Sequence, residues 1–147
     1  ATAANADWRE RVPADDLQGA VRGVKVQVNP PGPTGLNGMP FAPDGLSDCD
    51  EFRFYRVQAG LPDWFDRIGW RESNCRQEDG VRTYCCHGYL QLYFSQHWSD
   101  HRMRPRMIEC GVTSLHDYNS DEPLEKQKHM CSAKALYEIV GKSAWNL

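Results

Sequence analysis

Glu72 is the residue whose setting most suggests chemistry. Leu61, Phe65 and Ile68 stand at i, i+4 and i+7, and the next place on that stripe, i+11, is Glu72. Residues so spaced share one face of a helix, with Trp64 one turn away on the same side. A carboxyl group on an apolar face loses hydrating water, which disfavours its charged form and raises its pKa. An acid still protonated near neutral pH is what the departing oxygen of a glycosidic bond requires. The same pattern also allows Glu72 to lie at a frayed helix end, in water.

Other reactive residue types form weaker constellations. His97 and His101 stand at i and i+4, but no H-E-x-x-H motif surrounds them, so they read as surface or partly packed residues. His87, His116 and His129 lack metal-ligand spacing. No G-x-S-x-G elbow supports serine chemistry. Cys75, Cys85 and Cys86 with His87 form a conceivable zinc set, but the C-x-x-C pair usual in such sites is missing. The expectation is therefore no metal and no cofactor. Six cysteines in a small chain point instead to three disulfides and an oxidising compartment. The neighbours Cys85 and Cys86 are not expected to pair with each other, because adjacent residues rarely meet disulfide geometry. Cys75 with one of them would close a hairpin, and Cys49 with the other would tie down the first helix. Cys110 with Cys131 would pin the last helix.

Several elements must position these residues. Ser47-Asp48-Cys49-Asp50 is a helix start with an acidic residue three places after the serine, and Gly60 suits the exit. Pro62-Asp63 opens a second helix that runs to about Asn74 and carries Glu72 near its end. Asp79-Gly80 is a turn signal before Val81-Arg82-Thr83-Tyr84, giving a small hairpin or extended loop over 76–84. A third helix is expected over roughly 88–98, and a last one from near Ser120 to Gly141. Five prolines between residues 29 and 46 exclude a helix or an inner strand there. Residues 1–46 thus form an arm, with one alternating strand at Val24–Val28, ahead of a body over 47–147. Trp8, Val24, Val26, Val28 and Phe41 give the arm apolar anchors for docking. It is expected to be dispensable for chemistry.

Composition narrows the function classes. The chain has 147 residues, enough for one domain with one sizeable core. Its net charge is −3, the wrong sign for a binder of phosphate backbones, so no nucleic-acid partner is expected. No apolar run approaches the ~20 residues of a membrane span. The small, polar start Ala1–Ala6 is similar to what remains after signal cleavage, which suggests a secreted, extracellular protein.

Glu72-Ser73-Asn74, followed by Gly88-Tyr89-Leu90-Gln91-Leu92, resembles the paired signature of the lysozyme and soluble lytic transglycosylase superfamily. In that superfamily a helix ends in Glu-Ser, a variable hairpin follows, and a Gly-x-hydrophobic-Gln-hydrophobic motif opens the next helix. Trp98 fits the aromatic a few residues beyond. Cys110-Gly111-Val112, Asp117-Tyr118-Asn119, Ala133-Ala135-Leu136-Tyr137 and Gly141-Lys142-Ser143-Ala144-Trp145 are similar to the close of the compact secreted bacterial members. The resemblance covers about residues 48–147. It implies an α+β, mainly α, lysozyme-like fold with a small β-hairpin, stabilised by disulfides and preceded by the extended arm.

The resemblance also implies a function. The chain would be a monomeric glycosidase of the cell wall, cutting the β-1,4 bond between N-acetylmuramic acid and N-acetylglucosamine in peptidoglycan. Glu72 would be the general acid and Ser73 would hold or orient it. Gln91, with groups near Tyr89, would contact the N-acetyl sugar, and Tyr118 and Asn119 would approach from the far wall. On their own, Gln91 reads as a surface helix residue and Tyr118 as a half-buried packing residue. One position departs from the animal-type lysozymes: where they carry an aspartate two residues before the motif glycine, this chain has Cys86. A retaining mechanism needs a second carboxylate ~5–5.5 Å from the first, and an inverting one needs it at ~6.5–9.5 Å. Glu78 and Asp79 are the candidates near in sequence, and Asp79 could position a water. A lytic transglycosylase avoids the requirement, because one glutamate first donates a proton and then takes one from the sugar's own C6 hydroxyl. The alternative is a non-catalytic lysozyme-like module that binds glycan or a protein partner through the same cleft. A chitinase is a third option.

Overall fold

The computed structural model describes residues 33–77 and 85–146. Its helices are α1 (Asp48–Ala59), α2 (Phe65–Ser73), α3 (Phe94–Ser99), α4 (Met103–Glu109), α5 (His116–Asn119) and α6 (Pro123–Val140), with 3-10 turns at Leu36–Gly38 and Gly141–Trp145. Among the described residues, β structure is limited to two isolated bridges, Thr34 with Pro40 and His87 with Leu92. The chain is therefore mainly helical. The Asp79-Gly80 turn, Glu78 and the Val24–Val28 strand lie outside the described residues, as do Trp8 and most of the expected arm.

The boundaries of α1 follow its end residues. Ser47 Oγ accepts from the Asp50 amide, and Asp48, Asp50 and Glu51 put negative charge on the first turn, where the helix dipole favours it. Gly60 closes the helix at φ 77°, a left-handed conformation costly for other residues. In α2, Leu61, Phe65 and Ile68 are buried as their spacing predicts. The helix proper starts at Phe65, after a turn in which the Phe65 amide bonds to the Pro62 carbonyl. It can lie close against α1 because of Gly69: a side chain there would begin 2.3 Å from the Phe52 ring.

The last helix, α6, is central. It packs on α1, α4, α5 and the C-terminal 3-10 turn, and it is buried on most of its circumference. Such a helix must satisfy its polar side chains internally. Lys126 meets Glu51 and Asp121, and Lys128 meets Asp117 at 2.8 Å. Gln127 accepts from the Leu36 amide at 2.8 Å and donates towards the Met39 and Pro40 carbonyls, so residues 34–40 are held against the body. The Ala42 amide adds a bond to the Tyr55 hydroxyl. The Pro-rich end of the arm is thus docked through side chains of α1 and α6. Helices α4 and α5 were not expected from the sequence, because both are short. Their starts are nevertheless held by side chains, Asp100 accepting from the Arg102 and Met103 amides at the start of α4 and Asp117 from the Thr113 and Ser114 amides ahead of α5. The last helix starts at Pro123, later than the expected Ser120, since proline suits a first turn.

The cysteine pairing corrects the expectation. Cys110–Cys131 is present and joins the end of α4 to α6. Cys49 in the first turn of α1 pairs with Cys75 just beyond α2, because the α1–α2 packing brings those ends together. Cys85 and Cys86 then pair with each other, with Cα atoms 3.7 Å apart. No helix among the described residues is long and apolar enough to cross a membrane.

Candidate active site

Helix α2 ends in Glu72 and Ser73, with Asn74 in the left-handed conformation as its cap. The Ser73 hydroxyl donates to the Tyr89 carbonyl at 2.7 Å, has the Gly69 carbonyl at 3.1 Å, and accepts from the Arg76 amide. It therefore joins the end of the Glu72 helix to the segment that begins at Gly88. The two halves of the motif, sixteen residues apart in the chain, meet through this one side chain.

That segment is a turn where a helix was expected. Residues His87 and Leu92 exchange two backbone hydrogen bonds, at 3.0 and 2.9 Å, and the Gln91 amide closes the turn onto the Gly88 carbonyl. The helix begins only at Phe94. The turn is buried, so its polar backbone atoms need partners other than water. Tyr89 N–H donates to Gln77 Oε1 at 2.8 Å, and Leu90 N–H donates to His129 Nε2 at 3.0 Å. The Leu90 carbonyl accepts from the Trp145 indole at 3.0 Å. Gln77 and His129 Nδ1 both reach the Tyr118 carbonyl, at 2.7 and 3.0 Å. Gly88 is required here. Its φ is 80°, and a side chain would begin 2.4 Å from the Tyr118 carbonyl and 2.5 Å from the His129 ring.

His129 has a fixed role in this frame. Because Nε2 accepts, the proton sits on Nδ1, and the neutral ring satisfies both neighbours. Complete burial pushes its pKa down to about 3. The unfolded chain then takes up a proton near pH 6.5 while the folded chain does not. His129 leaves stability unaffected above pH 6.5 and lowers it as the pH falls from 6.5 towards 3. The expected slope is roughly 1.4 kcal/mol per pH unit. Burial also lowers His97, which acts in the same direction. In His129→Gln, whose amide can both donate and accept, denaturant melts between pH 6.5 and 4 should show this part of the slope removed. An unchanged slope would mean that the buried imidazole is not what senses acid.

Beside the turn lies an open cavity of about 370 Å3. Gln91, Gln96, His97 and Asp100 supply polar groups to it, and Leu92, Met103, Leu136 and Val140 supply apolar ones. Gln91 is held at φ 52°, and its side-chain amide donates to the Gly88 carbonyl at 3.0 Å. Arg102 beside Asp100 holds that carboxyl well below the usual carboxylate range. His97 Nδ1 is 3.4 Å from the Tyr118 hydroxyl.

The expected site residues separate into two groups. Ser73, Tyr89, Tyr118 and Asn119 are buried, with Tyr118 fully enclosed among Phe94, His97 and His129. The packing reading of Tyr118 describes it best. Ser73 is directed to the Tyr89 carbonyl, not to Glu72. Gln91 alone of the expected sugar contacts lines the cavity. Asp79 lies outside the described residues. The burial on an apolar face expected of Glu72 is not found. The apolar stripe ends at Ile68, and the Glu72 side chain remains 27% exposed and bound by Arg71, at 2.7 and 3.2 Å. The helix terminates directly after it, so no further turn covers it. One Arg71 nitrogen also donates to the Trp145 carbonyl at 2.7 Å, linking Glu72 to a wall of the cavity. Gln77, His129, Trp145 and Arg71 escaped the sequence reading as frame residues. Only Trp145 carried a signal, as the end of the tail motif.

No group of three or more metal-ligating side chains occurs among the described residues. Compared with models of known families, with characterised proteins and with solved structures, the chain matches none.

Proposed function

We propose that this chain is a peptidoglycan-cleaving glycosidase of lysozyme-like architecture, acting outside the cell on the β-1,4 bond between N-acetylmuramic acid and N-acetylglucosamine. Glu72 is its general acid and base. The observation that carries the reading is the Ser73–Tyr89 bond, which sets the end of the Glu72 helix against the turn bearing Gln91. The cavity next to that turn suits an amphiphilic ring, since it has both apolar walls and amide and imidazole partners.

In this reading Glu72 gives a proton to the glycosidic oxygen, so that the departing sugar leaves as a neutral alcohol. The carboxylate so formed then removes a proton either from water, giving a reducing end, or from the C6 hydroxyl of the retained sugar, giving a 1,6-anhydro end. The aspartate of animal-type lysozymes is replaced by Cys86, which favours the anhydro route. Asp79 is the residue for the hydrolytic one. Arg71 must release Glu72 for either route to begin.

A second reading, a non-catalytic glycan-binding module, is favoured by the Arg71–Glu72 ion pair and by the absence of Glu72 from the cavity lining. Mass spectrometry of muropeptides after incubation with cell walls separates the outcomes. Anhydro ends are expected. Reducing ends assign a hydrolase, and binding without any product assigns the module.

A further inference from the structure

We propose that the Cys85–Cys86 disulfide is a ligand-contacting wall of the cavity, a rigid sulfur-faced ring against which the apolar face of a bound sugar packs. This rests on the glycan reading above.

Stability does not account for this bond. A disulfide stabilises mainly by restricting the unfolded chain, and more so the longer the loop it closes. Cys49–Cys75 and Cys110–Cys131 span 26 and 21 residues. Cys85–Cys86 spans one, so it closes only a small ring around its own peptide and restricts no distant part of the chain. Its effect is local, and one of its two residues, Cys86, lies at the cavity. Cys86 lines that cavity together with Gln91, Tyr93, His97 and Trp145. Both cysteines are half-buried, so each keeps surface for contact. The next residue, His87, is buried and bridged to Leu92 by two backbone hydrogen bonds, which anchors the ring at its base.

The chemistry suits a pyranose. Paired sulfurs are polarisable and apolar and leave no strong donor or acceptor unsatisfied. A sugar ring has a C–H face that packs on such a surface and a rim of hydroxyl and amide groups that need partners. Gln91, Gln96 and His97 offer those partners in the same cavity. Two separate thiol side chains would have to be ordered on binding, whereas the closed ring is ordered beforehand, which favours affinity.

The test compares the parent with the double variant Cys85→Ser, Cys86→Ser, using solubilised peptidoglycan strands for turnover and triacetylchitotriose for calorimetric binding. The expected result is an unchanged circular dichroism spectrum and melting temperature, kcat within about twofold, and KM and Kd raised roughly tenfold. Selective reduction of the parent, checked by alkylation of Cys85 and Cys86 alone, should raise KM likewise, and reoxidation should restore it. A folded double variant with unchanged KM and Kd overturns the proposal. So does a variant that melts far below the parent, because the ring would then be structural. A parent that binds glycan without cleaving it overturns only the catalytic reading, and the change in Kd still decides the role of the ring. A parent that neither binds nor cleaves overturns both.

Discussion

Glu72→Gln should remove turnover of cell-wall glycan while leaving the fold and glycan binding in place. Glutamine keeps the shape of the side chain and can still meet Arg71, which lies 2.7 Å from the native carboxylate. It cannot give a proton to the glycosidic oxygen or take one back. General acid–base catalysis alone contributes roughly 10²–10⁴ in rate, and one residue acting in both steps puts the loss at the upper end. The fold should survive, because Glu72 stands at the last turn of α2 with its side chain partly in water. Stability should shift by less than about 0.5 kcal/mol, as for other surface changes. The measurement is release of soluble muropeptides under saturating cell wall, with calorimetric binding alongside. Equal clearance by the variant and the parent would end the catalytic assignment of Glu72. Asp79→Asn in the same assay distinguishes the routes: a large loss points to water activation, and near-parental turnover points to the anhydro product.

The largest loss of stability is expected at Asp66, in the first turn of α2. Its carboxylate is buried between two arginines of α1. Arg53 reaches Oδ2 at 2.8 and 2.9 Å, and Arg56 reaches Oδ1 at 2.7 Å. Arg56 also donates to the Leu61 carbonyl at 2.7 Å, which fixes the link between α1 and α2. Side chains of all three residues are 5% exposed or less, so neither guanidinium can recover its hydration if the carboxylate is lost. Breaking a buried pair by removing one partner costs roughly 3–5 kcal/mol. Asp66→Ala should therefore lower the melting temperature by roughly 10–20 °C in a domain of this size. Replacing Asp66, Arg53 and Arg56 together by apolar residues of similar volume should restore most of that stability, since no unpaired charge then remains. A single variant that loses less than about 1 kcal/mol would show that water reaches the arginines.

The legible parts of this fold are those governed by neighbours in the chain. The Ser47 cap, the Gly60 exit and the Gly141 stop mark α1 and α6 because each acts within a few residues of itself. The stripe Leu61, Phe65, Ile68 marks the buried face of α2 because helical spacing alone groups those side chains. Periodicity does not reveal where the stripe stops. Glu72 fits the pattern but lies where the helix ends, and its neighbour Arg71 turns to it instead of an apolar wall closing over it.

Gly88–Leu92 shows the other limit. The segment looks like the start of a helix, yet it is a buried turn whose backbone is satisfied by Ser73, Gln77, His129 and Trp145. Those partners come from widely separated places in the chain, and each is an ordinary polar or aromatic residue in its own context. The cysteines divide in the same way.

The sequence by itself determined that this is a mainly helical, cysteine-paired domain with α1, α6 and the buried stripe of α2 in their places, since end residues, spacing and composition act locally. The tertiary structure alone decided which cysteines pair, that Cys86 lines the cavity, that Ser73 joins the Glu72 helix to the Gln91 turn, and that Tyr89 and Tyr118 are buried behind it. Those outcomes depend on contacts between distant residues, and such contacts exist only once α2, the turn and α6 have packed together.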